Sequence, residues 1–139
     1  MNKNENYFFY PLHFEPELAL LIMGDSFKNQ IAIIDAIDTT MPVNHFLYIK
    51  EHPMMRSSLR SIEFYEKILK LMLFGRVRFL KQEILSYDII KNSKGVITIS
   101  GTAGWEALIL GKPVILLGNT FYSEFEDGVI KVNIYNELI

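Results

Sequence analysis

Cysteine is absent from this chain of 139 residues, so it can form neither disulfide bonds nor thiolate metal sites. Long apolar runs are also missing, since none approaches the roughly 18 residues of a membrane span. The start of the chain lacks the apolar core of a secretory signal. A basic excess is missing too, because the net charge is -2, and nucleic-acid binding requires a basic face. These absences are compatible with a cytoplasmic protein that binds no nucleic acid.

The composition that remains is typical of a folded domain. Half of the residues are hydrophobic and 22% are charged, a balance that fills a core and argues against disorder. A length of 139 residues favours one domain. We therefore predict a single domain over residues 1–139, with residues 1–6 as a polar lead-in.

The most informative stretch, residues 96–117, indicates a strand, a tight turn, a helix and a second strand. Apolar runs at residues 96–99 and 114–117 are typical of strands buried on both faces. Gly111 can adopt the left-handed conformation that ends a helix, and Pro113 prevents the helix from continuing. A helix between two such strands is a βαβ unit, whose crossover should be right-handed.

The turn at residues 100–104 consists of small residues with hydroxyl groups on both sides of a glycine. Ser100 or Thr102 can cap the following helix. Backbone N–H groups at a helix start carry partial positive charge, and small side chains let a phosphate approach them closely. The turn therefore predicts a phosphate site, although a tight α/β turn without a ligand would use the same residue types.

The whole chain alternates between strand and helix patterns, which predicts a doubly wound, mostly parallel α/β sheet of five to six strands with helices on both faces. With the strand order 3-2-1-4-5, ligands are expected where the order reverses, outside the carboxyl ends of strands 1 and 4. We predict strands within residues 7–10, 46–49, 77–80 (toward an edge), 96–99, 114–117 and 129–132. We predict helices from near Phe27 to Met41, from a Ser57 or Ser58 cap to Gly75, over residues 86–92, and at residues 135–139.

Three motifs, in this order, resemble bacterial capsular polysaccharide biosynthesis proteins. They are FYPLHFEPE at residues 9–17, YIKEHP at residues 48–53 and SGTAGWEALILGKPV at residues 100–114. These proteins look like glycosyltransferases of the GT-B architecture, which has two Rossmann domains, and the family includes enzymes that use CMP-Kdo. The resemblance runs from about residue 7 to residue 132. It implies a carboxyl-terminal, donor-binding half of such an enzyme, which would need a missing amino-terminal, acceptor-binding domain for activity.

The site residues follow from these motifs, and each has a structural alternative. The resemblance implies that His52 contacts the donor phosphate, where an imidazole can stabilise the departing nucleotide; otherwise it completes a turn. His13 would meet the donor sugar or lie where acceptor chemistry occurs; otherwise it only packs in a loop between two prolines. Glu106 suits a ribose diol or the start of a helix. We predict His52 and His13 as catalytic, no metal ligands, and as nucleotide- or phosphate-binding residues Ser100, Gly101, Thr102, Ala103, Gly104, Glu106, Lys50 and Pro53.

The predicted function is nucleotide-sugar binding, with a CMP-sugar favoured over a UDP-sugar, in a glycosyltransferase for capsular or surface polysaccharide. The alternatives are a non-catalytic nucleotide-binding module and a fragment of a UDP-sugar epimerase, because epimerases share the glycine–glutamate pattern of the third motif. We expect no tightly bound cofactor. The expected partners are a nucleotide-sugar and, through the missing domain, a glycan or glycolipid acceptor. Association with the inner face of the membrane and self-association are further expectations.

Overall fold

The computed structural model describes residues 4–13, 30–53, 60–99, 101–118, 120–125 and 127–132. The predicted helix at residues 135–139 and the predicted start of a helix near Phe27 lie outside these ranges. The described strands are β1 (Asn6–Pro11), β2 (His45–Lys50), β3 (Val77–Leu80), β4 (Gly95–Thr98), β5 (Val114–Leu116) and β6 (Val129–Lys131).

These strands form one sheet in the order β3-β2-β1-β4-β5-β6, and every neighbouring pair is parallel. The predicted doubly wound sheet, its strand order and the edge position of β3 are confirmed. β1 pairs with β2 along its whole length, from Asn6 opposite His45 to Pro11 opposite Lys50. With β4 it pairs only through Phe8 and Phe9, so these two strands separate toward their carboxyl ends.

Four described helices cover both faces of the sheet. They are α1 (Gln30–Thr40), α2 (Ile62–Phe74), α3 (Ser86–Lys91) and α4 (Thr102–Ile109). β1 shows the arrangement most directly, because its side chains alternate between the faces. Tyr10 packs in the core that α1 and α2 cover, whereas Tyr7 and Phe9 pack in the core that α3 and α4 cover. A sheet buried on both faces explains why its strands are almost continuously apolar.

The ends of two helices correct the prediction. The cap of α2 is Ser61, whose hydroxyl accepts a hydrogen bond from the backbone N–H of Phe64 at 3.1 Å. The helix therefore starts after Ser57 and Ser58, which lie outside the described residues. At α4 the cap residue is Gly101, without a side-chain cap, so Thr102 begins the helix and does not cap it. Beyond its other end, Gly111 has a φ of 74°, the predicted left-handed conformation.

Arg76, which precedes β3, ties together the turn between α1 and β2. Its guanidinium donates hydrogen bonds to four backbone carbonyls, and its backbone N–H donates to a side-chain oxygen of Asp38 at 2.8 Å. Carbonyls at the end of a helix have no partner within the helix, so a guanidinium that reaches them replaces the missing donors. The four carbonyls belong to Pro42 (2.7 Å), His45 (3.3 Å), Asp38 (2.7 Å) and Met41 (3.2 Å).

Replacement of Arg76 with methionine should lower the free energy of unfolding by about 1.5–3 kcal/mol, because hydrogen bonds from a charged donor are lost. Urea unfolding followed by circular dichroism measures this value. The neighbouring Arg78 is the control, because its guanidinium lies 4.5 Å from the centroid of the Phe46 ring. Its replacement with methionine should cost about 1 kcal/mol or less. Equal urea midpoints for the Arg76→Met variant and the wild type would contradict this role.

Candidate functional site

A cavity of about 350 Å³ opens at the carboxyl ends of β1, β2 and β4, where the strand order reverses. This is the edge at which doubly wound sheets bind ligands. Three loops that are far apart in the chain meet there, as the motifs predict. The predicted residues that line the cavity are His13, Lys50, His52, Pro53, Gly101, Thr102, Ala103 and Glu106. Ser100 lies outside the described residues.

His13 lies deep in this cavity, just after β1, and is almost fully buried. Its Nε2 is 3.3 Å from the hydroxyl of Thr98, the last residue of β4. Its backbone is held by Gln30 of α1, whose amide accepts from the N–H of His13 at 2.9 Å and donates to its carbonyl at 3.2 Å. The imidazole therefore lies across the point where β1 and β4 separate.

Lys50, the last residue of β2, is a buried cation at the wall of the cavity. Only 8% of its surface is exposed, and its ammonium donates to the hydroxyl of Ser86 at 3.4 Å. Among the described residues, no carboxylate forms an ion pair with it. Burial lowers the pKa of Lys50 from its ordinary value of 10.5. A buried charge is costly unless it is paired, so this position favours an anionic ligand.

His52 follows Lys50 by two residues and is half-buried at the cavity. Its backbone N–H donates to the carboxylate of Glu51 at 2.9 Å. Its backbone carbonyl accepts a hydrogen bond from the amide of Gln82 at 3.3 Å. The backbone of His52 is thus held from both sides at the wall of the cavity.

The turn before α4 completes the site. Gly101 has a φ of 133°, a conformation that L side chains rarely adopt. An added Cβ at Gly101 would lie 3.9 Å from the Thr98 hydroxyl and 4.0 Å from His13 Nε2. Tyr122 holds this turn from outside, because its hydroxyl donates to the Gly101 carbonyl at 2.5 Å. Gly104 does not line the cavity: it packs against Tyr122, which explains why the residue is small there.

Several residues of the site could not be predicted from the sequence. Ser86 and Thr98 line the cavity, but a serine at a helix start and a threonine at a strand end are common. Arg60 and Tyr122 support it from behind, and no motif contains them.

Among residues 4–13, 30–53, 60–99, 101–118, 120–125 and 127–132, no group of three His, Asp or Glu side chains could hold a metal ion. Within the same ranges, no helix has the length and hydropathy needed to cross a membrane.

The fold and the position of this cavity define a Rossmann-like domain of the GT-B type. Among solved structures, the KpsC β-Kdo 2,7 transferase of Thermosulfurimonas dismutans superposes with a TM-score of 0.71 at 21% identity, covering 95% of this chain and 40% of that chain. The UDP-GlcNAc 2-epimerase of Methanocaldococcus jannaschii superposes with a TM-score of 0.64 at 22% identity, covering 95% of this chain and 35% of that chain. At these identities the likeness concerns the fold.

The chain belongs to the capsule polysaccharide biosynthesis protein family, whose sequence model matches residues 1–128. Protein FixF of Sinorhizobium fredii is 30% identical over 127 residues, which cover 90% of this chain and 29% of FixF. The capsule polysaccharide export protein KpsS of Escherichia coli is 31% identical over 81 residues, which cover 58% of this chain and 21% of KpsS. The chain therefore spans less than a third of either relative.

Proposed function

We propose that this chain is the nucleotide-sugar-binding domain of a glycosyltransferase for capsular or surface polysaccharide. The observation that carries the proposal is Lys50, a buried cation without a carboxylate partner among the described residues, at the same cavity as the start of α4. Lys50 would balance the negative charge of a phosphate placed between them. The phosphate oxygens would accept hydrogen bonds from the backbone N–H groups of Gly101 and Thr102.

The two histidines have distinct parts in the proposal. His52 would donate a hydrogen bond to the phosphate and stabilise the negative charge that develops as the nucleotide leaves the sugar. His13, held deeper beside Thr98, would face the donor sugar. Glu106, an exposed carboxylate at the rim of the cavity, would accept hydrogen bonds from ribose hydroxyls. Pro53 and Ala103 would shape the walls between these groups.

A CMP-sugar is the favoured donor. It carries one phosphate between nucleoside and sugar, whereas a UDP-sugar carries two. Lys50 is the only lysine or arginine among the described residues that line the cavity, which suits the smaller charge. We further propose that the domain works in the cytoplasm, and that a glycan or glycolipid acceptor binds to a part of the enzyme outside this domain.

Titration calorimetry with CMP, UDP and their sugar conjugates tests this proposal. We expect binding of CMP or a CMP-sugar, and an affinity about 10- to 100-fold lower in the His52→Ala variant, the effect of losing a charge-assisted hydrogen bond. His45→Ala is the matched control, because His45 is the first residue of β2 and lies at the amino end of that strand, away from the cavity. Preference for UDP would favour the epimerase-like alternative. Absence of binding by every nucleotide would overturn the proposal.

A further inference from the structure

The loops that carry His13 and His52 are joined behind the cavity by Arg60. This side chain is buried, with 6% of its surface exposed, and it does not line the cavity. One terminal nitrogen donates to the backbone carbonyl of His13 at 2.7 Å. The same nitrogen and Nε donate to the two carboxylate oxygens of Glu51 at 2.8 and 2.9 Å. One guanidinium thus binds the loop after β1 and the loop after β2 together.

Glu51 extends this connection to the second histidine. The oxygen that accepts from the terminal nitrogen of Arg60 also accepts the backbone N–H of His52 at 2.9 Å. The other oxygen accepts the hydroxyl of Tyr65, in α2, at 3.2 Å. Burial and the nearby carboxylate raise the pKa of Tyr65, which keeps this hydroxyl a donor. A continuous path of hydrogen bonds therefore runs from the His13 carbonyl through Arg60 and Glu51 to the His52 backbone.

The sheet alone does not set the spacing of these two loops. The backbone pairing of β1 with β2 ends with the bond from the N–H of Leu12 to the carbonyl of Lys50, at 2.9 Å. His13 and His52 both lie beyond that bond. A buried ion pair is a weak source of stability, because desolvation offsets most of the attraction. A planar guanidinium that binds both oxygens of a carboxylate does, however, fix orientation strongly.

We propose that Arg60 is a positioning residue, which holds His13 and His52 at the spacing that a bound nucleotide-sugar requires without touching the ligand itself. The inference rests on the proposed function, because it concerns the geometry of that nucleotide-sugar site. Charge alone does not perform this role. A lysine at position 60 would keep the charge but could not bind two carboxylate oxygens and a carbonyl in one plane.

The test compares Arg60→Lys and Arg60→Met with Arg76→Met. Arg76 is the matched control, because its guanidinium also binds backbone carbonyls but lies at the amino ends of β2 and β3. Three quantities are measured: the Kd for CMP, the urea midpoint, and the ring signals of His13 and His52 in ligand-free NMR spectra. We expect both Arg60 variants to raise Kd by about tenfold or more and to shift both sets of ring signals. Arg76→Met should change only the urea midpoint.

Each remaining outcome contradicts a distinct statement. Full affinity in Arg60→Lys would show that charge, and not geometry, is what matters. Equal losses of affinity in Arg60→Met and Arg76→Met would show that Arg60 supports binding only through the stability of the fold. If wild-type protein bound no nucleotide, the proposed function would fail, while unshifted ring signals in the Arg60 variants would overturn the positioning role. Should Arg60→Met not fold, Tyr65→Phe removes only the hydroxyl on Glu51 and must still shift the His52 signals.

Discussion

Replacement of Lys50 with methionine should raise the Kd for CMP about 10- to 100-fold, as expected for the loss of a charged hydrogen-bond donor. The same change should leave the ligand-free domain at least as stable as the wild type. Methionine has a similar length, and it removes a buried charge that no described carboxylate neutralises. Calorimetry and urea unfolding of the same two proteins measure both effects.

The pH dependence of binding has a defined sign. Burial lowers the pKa of Lys50 in the folded, ligand-free protein below the 10.5 of an exposed lysine. Only the charged form attracts phosphate, so affinity should fall as pH rises through the lowered pKa. In the unfolded chain Lys50 keeps its proton to higher pH. Below the folded pKa, burial of the charged ammonium therefore lowers the free energy of unfolding by its full amount. That cost disappears as pH rises from the folded toward the unfolded pKa. Bound phosphate should raise the pKa again, so binding in this range takes up protons.

Lys70→Met is the control, because Lys70 is an exposed lysine on α2. It should change neither the affinity nor its pH dependence. The assignment of Lys50 fails if Lys50→Met binds CMP as tightly as the wild type. It also fails if Lys50→Met loses stability and affinity together, since Lys50 would then support the fold and not the ligand.

Replacement of Gly104 with alanine should weaken both the fold and ligand binding, through the turn before α4. The new Cβ would fall on the Tyr122 hydroxyl and lie 2.8 Å from Cζ of that ring. Tyr122 is fully buried, so its ring has no free space to enter. Overpacking of this kind costs about 1–3 kcal/mol of folding free energy. Movement of Tyr122 would also release the Gly101 carbonyl, so we expect the Kd for CMP to rise by about tenfold or more.

Gly111→Ala is the matched control beyond the far end of the same helix. No atom lies within 4 Å of an added Cβ there, but the φ of 74° disfavours any side chain. This variant should lose about 1–2 kcal/mol of stability and keep its affinity. Wild-type affinity in Gly104→Ala would show that Tyr122 does not hold the turn in its binding geometry. Burial raises the pKa of Tyr122 to about 12, so its hydroxyl donates throughout the neutral range.

The sheet could be predicted from the sequence because the signals for its strands and turns are local. Apolar runs of strand length, Gly111 and Pro113 mark where elements begin and end. The strand order then follows from the general preference for doubly wound sheets, and it brings the loops after β1, β2 and β4 together. The position of the cavity was therefore predictable from the chain, before any side-chain geometry.

The supporting residues were not predictable, because their partners are distant in the chain. Arg60 was expected within a helix that starts at Ser57 or Ser58. It instead precedes α2, where its ion pair with Glu51 and its bond to His13 hold it. Three nearby serines carry the same local capping signal, and tertiary contacts decide between them. Tyr122 lies in a loop without periodicity, and only the fold shows that its hydroxyl reaches Gly101.

The early separation of β1 from β4 has a consequence for the motions of the sheet. Their pairing ends after Phe9, whereas β1 stays joined to β2 as far as Pro11. Within this seam, we expect the unpaired carboxyl ends of β1 and β4 to open more easily than the part that Phe8 and Phe9 pair. The seam divides the sheet into halves of three strands each. A molecule seated across the seam, touching Lys50 on one half and Gly101 on the other, would fasten the halves together and slow amide exchange in both.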